Sequence, residues 1–204
     1  MKIAYCKMNA EDIIIEFYKK GIFMTGTFKL SSGKISPYYI DLRKALAYPD
    51  LYTAIAIELL KTINKSKIEY SAIIGVATGG IPYATLLAAL TLKPLGYVRV
   101  ERKEYGTKSI VEGASRNHKV LIVDDVTTTG SNLVRAAEAV ISYGGELAAF
   151  AVIVDREEGA EDTLKKYNKP LISLFKITKI LNVLRDHGLI SLEEYYKITE
   201  YLSK

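Results

Sequence analysis

Cysteine occurs once in this 204-residue chain, at Cys6, histidine only twice and tryptophan not at all. One cysteine excludes an internal disulfide, and two histidines beside it leave no cluster at zinc-ligand spacing. A reducing, cytoplasmic setting is expected. The longest apolar-looking run, "YATLLAALTL", falls far short of the ~20 residues that a bilayer-spanning helix needs. The N-terminal "MKIAYCKMNAEDIIIEF" has no signal-peptide core, and no membrane partner is expected. Neither GxxxxGK[ST] nor GxGxxG occurs, so a nucleoside triphosphatase or a Rossmann dehydrogenase lacks its fingerprint. Repeats, low-complexity tracts and linkers are absent too, and 49% hydrophobic residues suffice for one well-cored domain spanning 1–204.

What is present begins with charge. The net charge of +5 is unevenly placed: Arg99, Arg102, Lys103, Lys108, Arg116 and Lys119 face only Glu101, Glu104 and Glu112 in the same stretch. Taken alone, that segment fits a solvated loop, a nucleic-acid contact or a site for a small polyanion. No zinc-finger spacing, RNA-recognition aromatic signature or basic coiled coil accompanies it.

Periodicity then sorts the chain into alternating elements. "NAEDIIIEFYKKG" predicts an amphipathic helix with Asn9 as N-cap and Gly21 past its end. "GTFKLSSGKISPYYIDLRKA" alternates around a Ser-Gly turn as an antiparallel hairpin does. Leu51, Ile55 and Leu59 mark a helix from Pro49 to about Asn64. "SAIIGVA", "LGYVRV", "KVLIV" and "ELAAFAVIV" are nearly continuous apolar runs, the pattern of strands buried on both faces. Helical segments Ile81–Leu90 and Ser131–Tyr143 lie among them, which predicts right-handed βαβ units and a largely parallel sheet. The tail adds "TKILNVLRDHG" and "SLEEYYKITEYL", the latter opened by a Ser191/Glu194 capping box, and both are expected to pack.

The chemistry concentrates in "VLIVDDVTTTGSN", Val120 to Asn132. Ligands of an open parallel sheet bind at the carboxyl ends of its strands, and this strand is expected to end at Asp124. Paired carboxylates there need partners, and a vicinal diol such as that of ribose supplies hydrogen-bond donors to them. Thr127, Thr128, Thr129, Gly130 and Ser131 then lead into a helix whose free N–H groups and dipole favour a phosphate. A strand followed by a merely capped helix is the competing explanation, and it accounts for "DD" but poorly for the whole ordered stretch. Arg156, just past "AAFAVIV", should share the rim; its planar fork suits a carboxylate. On the residues alone it could equally pair with Asp155, Glu157 or Glu158.

"VLIVDDVTTTGSN" resembles the phosphoribosyl pyrophosphate (PRPP) signature of type I phosphoribosyltransferases. "FKLSSGKISPYYIDLR" is similar to the hood segment of the orotate phosphoribosyltransferases, "GVATGGIPYAT" to their pyrophosphate loop and "YVRVERKEYGTKSIVEG" to their mobile catalytic loop. With "VDREEG" the resemblance covers roughly Phe23 to Gly159. It implies an α/β type I phosphoribosyltransferase fold: a largely parallel central sheet flanked by helices, a small N-terminal hood at about 22–46 and a helical tail at about 176–204.

The resemblance also implies an activity, the transfer of ribose 5-phosphate from PRPP to orotate in pyrimidine biosynthesis, with magnesium carried by PRPP. By the match, Asp124 and Asp125 hold the ribose hydroxyls, Val126, Thr127, Thr128, Thr129, Gly130, Ser131 and Asn132 the 5′-phosphate, and Thr78, Gly79 and Gly80 the pyrophosphate. Lys103 corresponds to the loop lysine and Arg99 to an arginine at the loop's root. Arg156 and Thr128 correspond to groups that bind the orotate carboxylate, while Ser31, Tyr39 and Ile40 adjoin the base. No metal ligand from the protein is implied. A homodimer sharing the loop between subunits is implied, and nucleic acid is not an expected partner. A phosphoribosyltransferase for another base, or a PRPP-sensing nucleic-acid-binding regulator of the same fold, are the alternatives. Many bacterial relatives differ: they carry lysines where this chain has Ser31, Gly79 and Val100, and a histidine where it has Tyr105. Lys29, Lys34 and Arg102 lie near these positions in the chain.

Overall fold

The computed structural model describes residues 8–29, 33–99 and 110–203. Ser31, Val100, Arg102, Lys103 and Tyr105 lie outside the described residues. In chain order the elements are α1 (Ala10–Lys19), β1 (Phe23–Lys29), β2 (Ile35–Ile40), a 3-10 helix (Leu42–Ala47), α2 (Pro49–Lys65), β3 (Ala72–Val76), α3 (Gly80–Thr91), β4 (Leu95–Val98) and β5 (Val111–Gly113). They continue with β6 (Lys119–Thr127), α4 (Ser131–Ser142), β7 (Glu146–Asp155), α5 (Ala160–Leu164), a 3-10 turn (Lys165–Tyr167), β8 (Leu171–Lys176), α6 (Ile177–Asp186) and α7 (Leu192–Leu202). The chain forms two compact units, one of Met1–Ile55 with Phe175–Lys204 and one of Ala56–Leu174.

In the first unit, α1 starts where its capping residue requires. The Asn9 side chain accepts from the N–H groups of Glu11 (2.8 Å) and Asp12 (3.0 Å), and the Asp12 carboxylate accepts from the Asn9 N–H. The apolar stripe Ile13, Ile14 and Phe17 is fully buried; Phe17 meets Phe175 edge-on with ring centroids 5.9 Å apart. β1 and β2 pair antiparallel, Phe23 opposite Ile40, with a register slip between Thr25 and Phe28. The Ser191/Glu194 capping box of α7 forms as expected. Glu194 also accepts a 2.5 Å hydrogen bond from the Thr25 hydroxyl on β1, and Tyr38 on β2 meets Tyr201 on α7 edge-on at 6.2 Å. The expected packing role of the tail thus has a named surface, the β1–β2 hairpin.

The second unit is built on the sheet ordered β5-β4-β3-β6-β7-β8. β3 runs parallel to β4 and to β6, and β6 parallel to β7. Every residue of β3 is buried, as is β7 beyond Glu146, which is why these strands are continuously apolar rather than alternating. α4 buries Leu133, Ala136, Ala137 and Val140 in the same apolar cluster as Ile74, Ile122, Phe150 and Val152. β5 and β8 are strands that the sequence pattern does not predict. β5 is three residues long, too short for a periodic signal, and exists by antiparallel pairing with β4 through Val98 and Val111. No helix among the described residues is long and apolar enough to cross a membrane.

Candidate active site

The acidic pair sits inside its strand, not beyond it. β6 continues through Asp124 and Asp125 to Thr127, because Val126 and Thr127 still pair with Val154 and Asp155 of β7. The two carboxylates lie close to one another beside the same turn: Asp124 is only 5% exposed, whereas Asp125 is half-buried. Each is held by its successor's backbone. Asp124 Oδ1 accepts from the Asp125 N–H at 2.9 Å and Asp125 Oδ1 from the Val126 N–H at 2.8 Å. Burial pushes the Asp124 carboxyl well above the usual carboxylate range, and the neighbouring Asp125 charge pushes it further.

Beside β6, β3 delivers the turn Thr78–Gly80, whose Ala77–Thr78 peptide is cis. Gly79 has ordinary helical dihedrals, so its backbone does not demand glycine; its neighbour does. A Cβ at Gly79 would fall on the Asp125 carboxylate, and one at Gly80 would strike the Val123 carbonyl oxygen and lie 2.9 Å from Asp124 Cα. Two consecutive glycines therefore let the turn lie directly on the acidic pair. The lysine that many bacterial relatives have at position 79 could not enter here unless Asp125 took another rotamer.

Two helices start at this rim and neither has a side-chain cap: α3 behind Gly79 and α4 behind Gly130. Gly130 has φ +80°, and a Cβ there would approach Ala160 to 3.3 Å. Without a capping side chain, the starts of α3 and α4 leave first-turn N–H groups that can receive an anion. Thr129 and Ser131 are exposed at the start of α4 with their hydroxyl oxygens 2.8 Å apart, and Asn132 is exposed beside them. Thr127 is buried and Thr128 half-buried.

The Arg156 N–H donates to the Thr127 carbonyl at 3.0 Å, which fixes this residue against the end of β6. Its side chain is buried, and Nη2 lies 2.9 Å from Glu158 Oε1. Of the acids that Arg156 could pair with on sequence grounds, Glu158 is thus engaged. Arg99 stands one residue past β4 and turns onto Tyr97: its guanidinium donates to the phenol oxygen at 3.0 Å and lies 5.5 Å from the ring centroid. Tyr39 and Ile40 belong to β2 in the first unit. There Tyr39 stacks on Phe28 with centroids 5.7 Å apart, and Ile40 is buried. The second unit therefore brings together Thr78–Gly80, Asp124–Asn132 and Arg156, while Ser31 and Lys103 lie outside the described residues. Glu158 carries a place in this arrangement that spacing alone does not assign; the signal was the third acid of "DREEG". Among the described residues, no group of three or more His, Cys, Asp or Glu could hold a metal ion.

The chain that places these groups at one sheet rim falls in a recognisable class. Residues 47–180 match the family model described as phosphoribosyl transferase domain. The chain is 45% identical over 194 residues to an orotate phosphoribosyltransferase of Staphylothermus marinus, covering 95% of each sequence. The crystal structure of orotate phosphoribosyltransferase from Aeropyrum pernix superposes with a TM-score of 0.76 at 38% identity, covering 88% of this chain and 99% of that one. The structure of Leishmania donovani UMP synthase gives a TM-score of 0.85 at 28% identity, covering 97% of this chain; this chain spans 43% of that longer one. The protein belongs to the orotate phosphoribosyltransferase family, and its fold is that of the type I phosphoribosyltransferases.

Proposed function

We propose that the protein transfers ribose 5-phosphate from PRPP to orotate, forming orotidine monophosphate and pyrophosphate. The observation that carries this is the joint placement of the acidic pair, two uncapped helix starts and a buried arginine at one rim of the sheet. Asp124 and Asp125 take the ribose hydroxyls, whose donors suit carboxylates that crowd one another. Val126 through Asn132 bind the 5′-phosphate with backbone N–H groups and the Thr129 and Ser131 hydroxyls. Thr78, Gly79 and Gly80 bind the pyrophosphate, and Arg99 and Lys103 add positive charge to it.

Departure of pyrophosphate from the anomeric carbon builds oxocarbenium character on the ribose and negative charge on the leaving group, while orotate nitrogen forms the new bond. The protein's part is to align base and ribose and to meet the separated charges with fixed dipoles. Arg156 and Thr128 hold the orotate carboxylate. The oxygen donors of Asp124 and Asp125 fit magnesium, a hard cation. Magnesium held with PRPP would supply charge neutralisation at the pyrophosphate. This reading includes a homodimer in which Lys103 serves a neighbouring subunit's site, in a cytoplasmic enzyme with one phosphoribosyltransferase domain, a hood and a helical tail.

The deciding experiment follows orotate consumption with PRPP and magnesium, with uracil and the common purines run alongside. Turnover with orotate alone is expected; turnover only with another base would overturn the role given to Arg156.

A further inference from the structure

The turn after β7 is shaped to bring a second carboxylate onto Arg156. Asp155 Oδ1 accepts the Glu157 N–H at 2.9 Å, and Glu157 adopts a left-handed conformation, φ +56°, disfavoured for any residue with a Cβ. That reversal folds Glu158 back so that its carboxylate reaches the guanidinium two residues earlier. Both side chains are withdrawn from water, with 6% and 10% exposure. A buried guanidinium without a counter-ion is strongly unfavourable, and Glu158 offsets the charge of Arg156 before substrate arrives.

An ionised carboxylate is an acceptor only, and so is the carboxylate of orotate. The two cannot hydrogen-bond to each other, and brought together on one guanidinium they repel. We infer that Glu158 is a built-in competitor for Arg156: the substrate carboxylate binds by taking over an existing ion pair, and Glu158 re-forms that pair as product leaves. This deepens the function proposed above and rests on Arg156 receiving the orotate carboxylate. Glu158 is then a positioning residue that acts through Arg156 and tempers the hold on substrate and product alike. Without it, orotidine monophosphate, which retains the carboxylate, would leave more slowly.

Two variants test this, with steady-state kinetics and product inhibition measured on the intact protein. Glu158→Gln keeps shape and an acceptor oxygen but removes the competing charge. Its KM for orotate and its inhibition constant for orotidine monophosphate should both fall, by about tenfold. Its KM for PRPP should shift far less, and kcat should drop as release slows. Glu158→Asp keeps the charge on a shorter arm and should lower the orotate KM by a smaller factor; it decides the matter if the glutamine variant fails to fold. An orotate KM that is unchanged or raised in a folded variant overturns the inference. Absence of orotate turnover in the unaltered protein would remove the parent assignment and this inference with it.

Discussion

Replacing Asp124 by asparagine should make the protein more stable and inactive at once. The Asp124 carboxylate is 5% exposed, sits beside the Asp125 charge, and has its pKa raised first by burial and then by that charge. Asparagine is isosteric: its Oδ1 can still accept the Asp125 N–H that now lies at 2.9 Å, and its amide can donate to the Asp125 carboxylate. Each unit by which folding raises a carboxyl pKa weakens the fold by about 1.4 kcal/mol once the group is ionised. Relief of a crowded buried carboxylate should therefore stabilise by on the order of 1–2 kcal/mol. For a chain of this size that is a rise in Tm of about 2–8 °C. The pH dependence has a definite sign, since a raised pKa means that the folded state holds a proton which the unfolded state has released. The asparagine variant's advantage is full above the folded pKa, shrinks as pH falls through it, and vanishes below the ordinary value of 3.8. Scanning calorimetry of the ligand-free protein across that range, with turnover at neutral pH, tests both halves. An Asp124→Asn protein that melts at or below the unaltered one at neutral pH would refute the claim that this carboxylate is held against its own stability for the sake of ligand.

Three further outcomes are expected. Arg156→Ala should raise the orotate KM at least about thirtyfold, because a buried charge pairing is lost, while PRPP binding stays nearly unchanged; equal losses for both ligands would contradict the assignment. Gly80→Ala should cost about 1–3 kcal/mol in thermal unfolding and weaken PRPP binding in a titration, since its Cβ meets Val123 and Asp124 backbone rather than a movable side chain. Glu194→Gln should lower stability by about 0.5–1 kcal/mol through the α7 cap and the Thr25 contact, a modest figure because the group is partly exposed to screening water. The Thr25 hydrogen bond leads in holding that carboxyl below its usual 4.5. The loss should therefore be present above about that pH and disappear as pH falls through the folded pKa, which urea unfolding at several pH values measures.

Local physics made much of this protein legible in its residues. Short continuous apolar runs fit strands covered on both faces, and β3, β6 and β7 were legible in that way. Asn9 and Ser191 announced their helices because a cap is a contact across three residues. "DDVTTTGS" marked the candidate site for the same reason, since carboxylates, hydroxyls, Gly130 and the start of α4 are neighbours in the chain. Contacts between distant segments were beyond such arguments. β5 is a strand only because β4 offers it an edge. That Gly79 must be glycine depends on Asp125, 46 positions away in sequence, lying where its side chain would go. The join between Thr25 and Glu194 spans 169 positions and gave no periodic trace. Even the nearby pair of Arg156 and Glu158 needed the folded turn, because three acids adjoin that arginine in the sequence and only the left-handed residue between them brings Glu158 back onto it. Sequence determines which groups are available and which short segments present them; the tertiary structure decides which charges share a buried space, because that choice is made by packing.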